Sequence, residues 1–125
     1  MPARPVTVER DEGSARRVAD LFADDGRVEV IAGDRRLLER HAPFDAFFRD
    51  GGGERDASGR VVDPLAPGGL LVMDDFTPSS RWPPLFGGEV DGLRLRRLTH
   101  PELTATEVFT TPDASAIVAA RRPRP

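Results

Sequence analysis

The chain has no cysteine, which excludes disulfides, thiolate metal sites and a cysteine nucleophile. It also has no lysine, so all 18 basic residues are arginine. Neither a Schiff-base lysine nor a Walker phosphate loop can therefore be built. Tyrosine, asparagine and glutamine are missing too. Two histidines, His41 and His100, are too few for a histidine-rich metal cage. No apolar run approaches the roughly 18 residues of a membrane helix. Residues 1–5 lack the apolar segment of a secretory signal, so a cytoplasmic protein without a membrane partner is expected. The net charge is −3 and the arginines are interspersed with acids, which argues against a nucleic-acid partner held by a basic face. What remains is 125 residues, 38% hydrophobic and 31% charged, which suits one soluble domain over 1–125 with a modest core.

Strand and helix signals alternate along the chain. Val6-Thr7-Val8-Glu9 is a β-branched run. Asp11 suits a helix N-cap, and Ala15, Val18, Ala19 and Phe22 follow at helical spacing. Residues 28–32 form a second strand, ended by Gly33-Asp34. A helical turn over 36–40 is ended by Pro43, and 44–48 is a third strand. Residues 50–60 show no apolar periodicity and read as a loop. Val61, Val62 and Leu65 suggest a weak helix interrupted by Pro64. Leu70-Leu71-Val72-Met73 is continuously apolar, the pattern of a strand buried on both faces of a parallel sheet. A Pro-, Gly- and Ser-rich stretch over 77–89 precedes a short helix over 93–98. The tail reads as a hairpin turning at Pro112-Asp113. The expected fold class is α/β: a Rossmann-like, mainly parallel sheet flanked by helices, closed by a C-terminal antiparallel hairpin.

Five segments together resemble the class I S-adenosylmethionine-dependent methyltransferases, particularly the small-molecule O-methyltransferase branch. They are 6–11, 28–34, 44–50, the Leu65-Ala-Pro-Gly-Gly-Leu-Leu-Val-Met-Asp-Asp75 stretch and the closing hairpin. The Leu-x-Pro-Gly-Gly turn before a buried strand carries most of the likeness. The same resemblance implies a first strand, a glycine-rich turn and a helix that have no counterpart before Val6. Gly51 to Gly53 follow the wrong strand to serve as that turn. The expectation is therefore a domain truncated at its N-terminus, or a start assigned inside a longer reading frame. In the family the missing strand lies between those resembling 6–9 and 44–49. Its loss leaves two edges open, or paired with each other, and one sheet face uncovered. A homodimer or a partner chain covering the exposed edge is expected.

The resemblance also assigns candidate residues. Glu9, with Arg10 beside it, corresponds to the acid that accepts from both ribose hydroxyls of S-adenosylmethionine; the alternative is a solvated strand-end acid. Asp34 and Arg35 correspond to the adenine turn, though Asp34 equally suits a helix N-cap. Asp50 is implied in cofactor binding and catalysis. Asp50, Asp74 and Asp75 correspond to a magnesium site built from two Asp and an Asn, with Asp75 in the Asn place; three oxygen ligands plus waters suit Mg²⁺. The alternative for the last two is a plain strand end. The family's lysine base has no counterpart, so proton removal falls to a carboxylate, to His100 or to water. His41 and His100 both also read as surface loop residues. Arg49 needs a carboxylate, Asp74 or Glu9, or else solvent. Trp82 and Phe86 build an acceptor pocket or plug the sheet edge, and the arginines of 121–124 read as a frayed tail.

The reaction implied is in-line methyl transfer to a small-molecule hydroxyl, by positioning and electrostatics. The resemblance supports the lineage and leaves the activity of this chain undecided. The alternative is an inactive remnant serving as an oligomerisation or partner-binding module.

Overall fold

The computed structural model describes residues 2–49 and 61–124. The chain divides into two compact units, Met1–Ala42 and Pro43–Pro125. No helix among the described residues is long and apolar enough to cross a membrane.

In the first unit, strand β1 (Val6–Glu9) pairs in parallel with β2 (Glu29–Ala32), Glu9 opposite Ala32. Helix α1 (Glu12–Leu21) joins them. Its start is set by Asp11, whose carboxylate accepts from the Ser14 N–H at 2.7 Å and satisfies one of the helix's orphan donors. The apolar stripe of α1 is only partly used. Ala15 is the one buried residue of this unit among the described residues, and Leu21 is 76% exposed. After β2, a 3-10 helix over Arg35–His41 is capped by Asp34, which accepts from the Arg36 N–H at 2.9 Å.

The second unit is a four-stranded mixed sheet of β3 (Phe44–Arg49), β4 (Leu65–Phe76), β7 (Leu103–Thr111) and β8 (Ala114–Arg121), in the order β3-β4-β8-β7. β3 and β4 are parallel; β8 runs antiparallel to both β4 and β7. Between β4 and β7 lie a small hairpin, β5 (Leu85–Phe86) with β6 (Glu89–Val90), and helix α2 (Gly92–Leu98). The Leu-x-Pro-Gly-Gly turn acts as a bulge. Phe44 pairs with Leu65 but Ala46 with Leu70, so the intervening residues loop out of the ladder. A Cβ on Gly69 would sit 2.7 Å from the Phe44 carbonyl oxygen, and Gly68 has φ +77, so glycine is required at both positions.

The two faces of this sheet differ. On one, Leu71, Met73, Ile117, Ala119 and Leu103 pack with Val61, Val62 and Leu93 of α2 into the core, and Phe47, Ala105 and Leu98 close it. On the other lie Ala46, Phe48, Leu70, Val72, Val118 and Val108. Phe48 is 62% exposed and Leu70 45%. Three sequence expectations are corrected here. The 70–73 run is buried on one face, not two: Leu71 and Met73 face the core that α2 helps to cover, while Leu70 is exposed and Val72 half-buried. Val61 and Val62 form a turn rather than a weak helix, with Leu65 opening β4, since Pro64 supplies no N–H for a helix to continue. Arg121 is not frayed: it is buried, and its Nη1 donates to the carbonyls of Val62, at 3.0 Å, and Leu65.

Candidate functional site

Two neighbouring parallel strands place Glu9 and Asp34 at one end of the first unit. Glu9 is the last residue of β1 and is half-buried. The Gly33 N–H donates to the Glu9 carbonyl at 2.9 Å, drawing the exit of β2 alongside it. Gly33 has φ +151, and a Cβ there would strike Leu37 at 2.7 Å. Asp34 follows at once. Its carboxylate lies 3.8 Å from Arg10 Nη2 and 3.8 Å from Arg36 Nε. Thus Glu9, Arg10, Asp34 and Arg35 converge on the carboxyl ends of parallel strands, where open α/β sheets carry ligands. Asp34 both caps the 3-10 helix and stands at this end, so one geometry accommodates both readings of it.

The Arg36 backbone N–H, then the Arg36, Arg10 and Arg35 charges, hold the Asp34 carboxyl below the usual carboxylate range. Its folded state thus titrates lower than its unfolded one. The stabilisation is complete above the unfolded value near 4 and is lost as pH falls through the depressed folded value. Acid titration followed by circular dichroism should show the first unit loosening below about pH 4. Asp34→Asn, which keeps the cap without the charge, should flatten that part of the profile. An unchanged profile would contradict the assignment.

In the second unit, Asp74 and Asp75 close β4, Asp75 with φ 63. Asp50 lies outside the described residues. No group of three or more His, Cys, Asp or Glu side chains that could hold a metal occurs among the described residues. Asp74 and Asp75 alone offer two carboxylates, short of a hard-cation site, and no chemistry is derived through a metal.

His100 is not brought to that end. β7 runs in the same direction as β4; Glu107 shares a row with Ile117 and Met73, while Leu103 stands at the opposite end, opposite Arg121. His100 precedes Leu103, so the register separates it from Asp74 by more than roughly 13 Å along the strands. Its Nδ1 accepts from the Glu102 N–H at 3.1 Å, a turn contact. His100 therefore stands apart from Asp74 and Asp75 in this sheet. His41 Nε2 lies 3.7 Å from Glu29 Oε1.

Arg49 spreads over the Phe47 ring, its Cζ 5.8 Å from the centroid. Burial, with Arg49 and Arg96 nearby, pushes the Arg97 guanidinium below its usual range. Trp82 is 77% exposed and Phe86 is exposed as well, so neither plugs the sheet edge. The loop bearing them is tied down through a cluster that the sequence reading missed. Glu107 accepts from the Ser79 N–H at 3.0 Å and from Ser79 Oγ at 2.9 Å, and pairs with Arg94. Arg81 pairs with Asp113 at the β7–β8 turn. The available signal was Glu107 itself, a lone charge inside the otherwise uncharged 103–111 run.

No family model and no curated protein matches this chain. Solved structures do. An O-methyltransferase from Bacillus cereus in complex with SAH superposes with TM-score 0.69 at 19% identity, covering 95% of this chain and 63% of that one. Cofactor-bound Rv0187 from MTB gives 0.73 at 23%, covering 98% and 63%. A methyltransferase from Geobacter sulfurreducens gives 0.66 at 18%, covering 96% and 59%. These likenesses show the fold alone, a Rossmann-like α/β fold that the chain shares with these structures. The chain spans less than two thirds of the length of these three neighbours.

Proposed function

We propose that this chain is the nucleoside-binding part of an S-adenosylmethionine-dependent methyltransferase acting on a small-molecule hydroxyl. One observation carries the reading: Glu9 and Asp34 stand at the carboxyl ends of adjacent parallel strands, in a fold shared with an SAH-bound O-methyltransferase and with cofactor-bound Rv0187. The residues fit the adenosine half of that cofactor. Glu9 offers two acceptor oxygens to two neighbouring ribose hydroxyls. Asp34, with Arg10 and Arg35 beside it, borders the adenine. The methionine half has no glycine-rich turn to cradle it among the described residues, so no transfer step is derived. When bound, the cofactor supplies an electrophilic methyl on a sulfonium. Asp50 is proposed as a further contact of the cofactor.

Calorimetric titration with S-adenosylhomocysteine, with and without Mg²⁺, tests this. Binding is expected, and Glu9→Ala should weaken it roughly 10- to 100-fold, the worth of hydrogen bonds to a charged acceptor. No binding to the folded chain, or binding indifferent to Glu9, would refute it. An Mg²⁺-dependent affinity would support Asp50, Asp74 and Asp75 as a metal site.

A second reading rests on the bare sheet face of the second unit. Exposed Phe48 and Leu70 on a parallel pair are unusual in sheets normally covered on both sides. On this reading the chain is a catalytically inactive module for oligomerisation or partner binding.

A further inference from the structure

Helix α2 turns one face to the sheet of the second unit. Leu93 and Arg94 are buried, Arg97 and Leu98 are half-buried, and Leu95 and Arg96 between them are exposed. The spacing i, i+1, i+4, i+5 is that of a single helical face. Two arginines therefore stand where an amphipathic helix carries apolar residues. They are answered differently. Arg94 pairs with Glu107. Arg97, almost one turn on, has the same buried Nε without a hydrogen-bond partner, and no carboxylate pairs with it among the described residues.

The surroundings of Arg97 disfavour its charge further. Burial penalises the guanidinium, and the charges of Arg49 and Arg96 repel it. Arg49 has engagements of its own, over the Phe47 ring among them, so it adds to the local field without being a free donor. The last turn of α2 offers some relief, because a helix C-terminus favours cations. That relief is about half an elementary charge, shared by Arg96 and Arg97, against a whole charge on each. An apolar side chain at this position would carry none of the cost. A guanidinium held inward at a loss, with no acid to answer it, is the pattern of a group whose partner is a ligand.

We infer that Arg97 and Arg96 hold a small oxyanion, the phosphate or carboxylate group of a ligand, at the last turn of α2. The planar arginine fork presents parallel N–H donors to two oxygens of such a group. Nε of Arg97 stays buried, so the anion meets the terminal nitrogens, and exposed Arg96 supplies the second charge. Helix α2 packs on β7 and β8, so the site does not rest on the outer edge of β3. It is confined to the second unit and needs no contact from Glu9 or Asp34, so it and the cofactor reading can fail separately.

Calorimetric titration with inorganic phosphate, in chloride at constant ionic strength, tests it. Saturable binding is expected. Arg97→Leu should weaken it about tenfold or more, the worth of hydrogen bonds to charged groups. Arg40→Leu, which removes an exposed arginine of the first unit, should leave it unchanged. Acetate titrated in the same way separates a carboxylate site from a phosphate site, and either anion lost with Arg97 supports the inference. Thermal melting in chloride alone should place Arg97→Leu at or above the wild-type chain, since only an unanswered charge is removed. On the wild-type chain, the bound anion should slow phenylglyoxal labelling of Arg97, read by mass spectrometry, while Arg40 labels at an unchanged rate. Binding of neither anion, binding or labelling indifferent to Arg97, or an Arg97→Leu chain that melts well below wild type would overturn the inference.

Discussion

Replacing Ile117 with alanine is expected to destabilise the second unit by about 2–5 kcal/mol, a large part of what a small domain has. Ile117 is fully buried at the centre of β8, opposite Met73 on one side and Glu107 on the other. Its neighbours belong to a sheet ladder that cannot collapse into the hole, so both the lost burial and the residual cavity count. Val118→Ala, one residue along on the bare face, should cost roughly 1 kcal/mol or less, because less apolar surface leaves water there. Urea denaturation followed by far-ultraviolet circular dichroism separates the two. Equal losses would mean that the second face is covered in solution, and would direct attention to what covers it.

Glu107→Ala should cost about 3–5 kcal/mol for a different reason. The side chains of Arg94 and Glu107 are only 6% and 10% exposed, so removing the acid strands a desolvated guanidinium. Arg94 Nε is already buried without a hydrogen-bond partner, which adds to the cost of keeping this charge inside. The pair is thus not a large net source of stability, and replacing both residues by leucine should recover most of the loss. The acid also holds Ser79, so its removal frees the loop of residues 77–82 from β7. Tryptic cleavage after Arg81 should accelerate in Glu107→Ala, whereas Glu107→Gln, which can still accept from Ser79, should protect the loop better. Unchanged cleavage would show that the Arg81–Asp113 pair holds the loop by itself.

Most of the element order was legible because it rests on local chemistry. Asp11 and Asp34 cap what their positions suggest, and the hairpin turns at Pro112-Asp113. The Leu-x-Pro-Gly-Gly turn was recognisable as a motif, but its role as a bulge depends on the Phe44 carbonyl across the ladder, which no local pattern contains. Apart from the turn at Val61 and Val62, where Pro64 is a local cause, the misreadings were of surroundings. A continuous run such as Leu70 to Met73 is compatible with two covered faces or one, and only the other elements decide. Arg121 resembles the arginines after it until Val62 and Leu65 turn their carbonyls towards it. Strand direction, which no local pattern contains, sends His100 to the end of the sheet away from Asp74. Of the candidate site, the placement of Glu9 and Asp34 at neighbouring strand ends was readable, because adjacent parallel strands present their ends together.

The exposure of Trp82 has an optical consequence. It is the chain's only tryptophan and there is no tyrosine, so near-ultraviolet absorption and intrinsic emission come almost entirely from one indole in water. Native and denatured chains should emit at nearly the same long wavelength, and a fluorescence melt would register little even as the sheet dissolves. The same indole stands in the loop that follows the strand-end acids Asp74 and Asp75, on a dark background. A blue shift there would report the arrival of something apolar at that loop, free of any signal from the core.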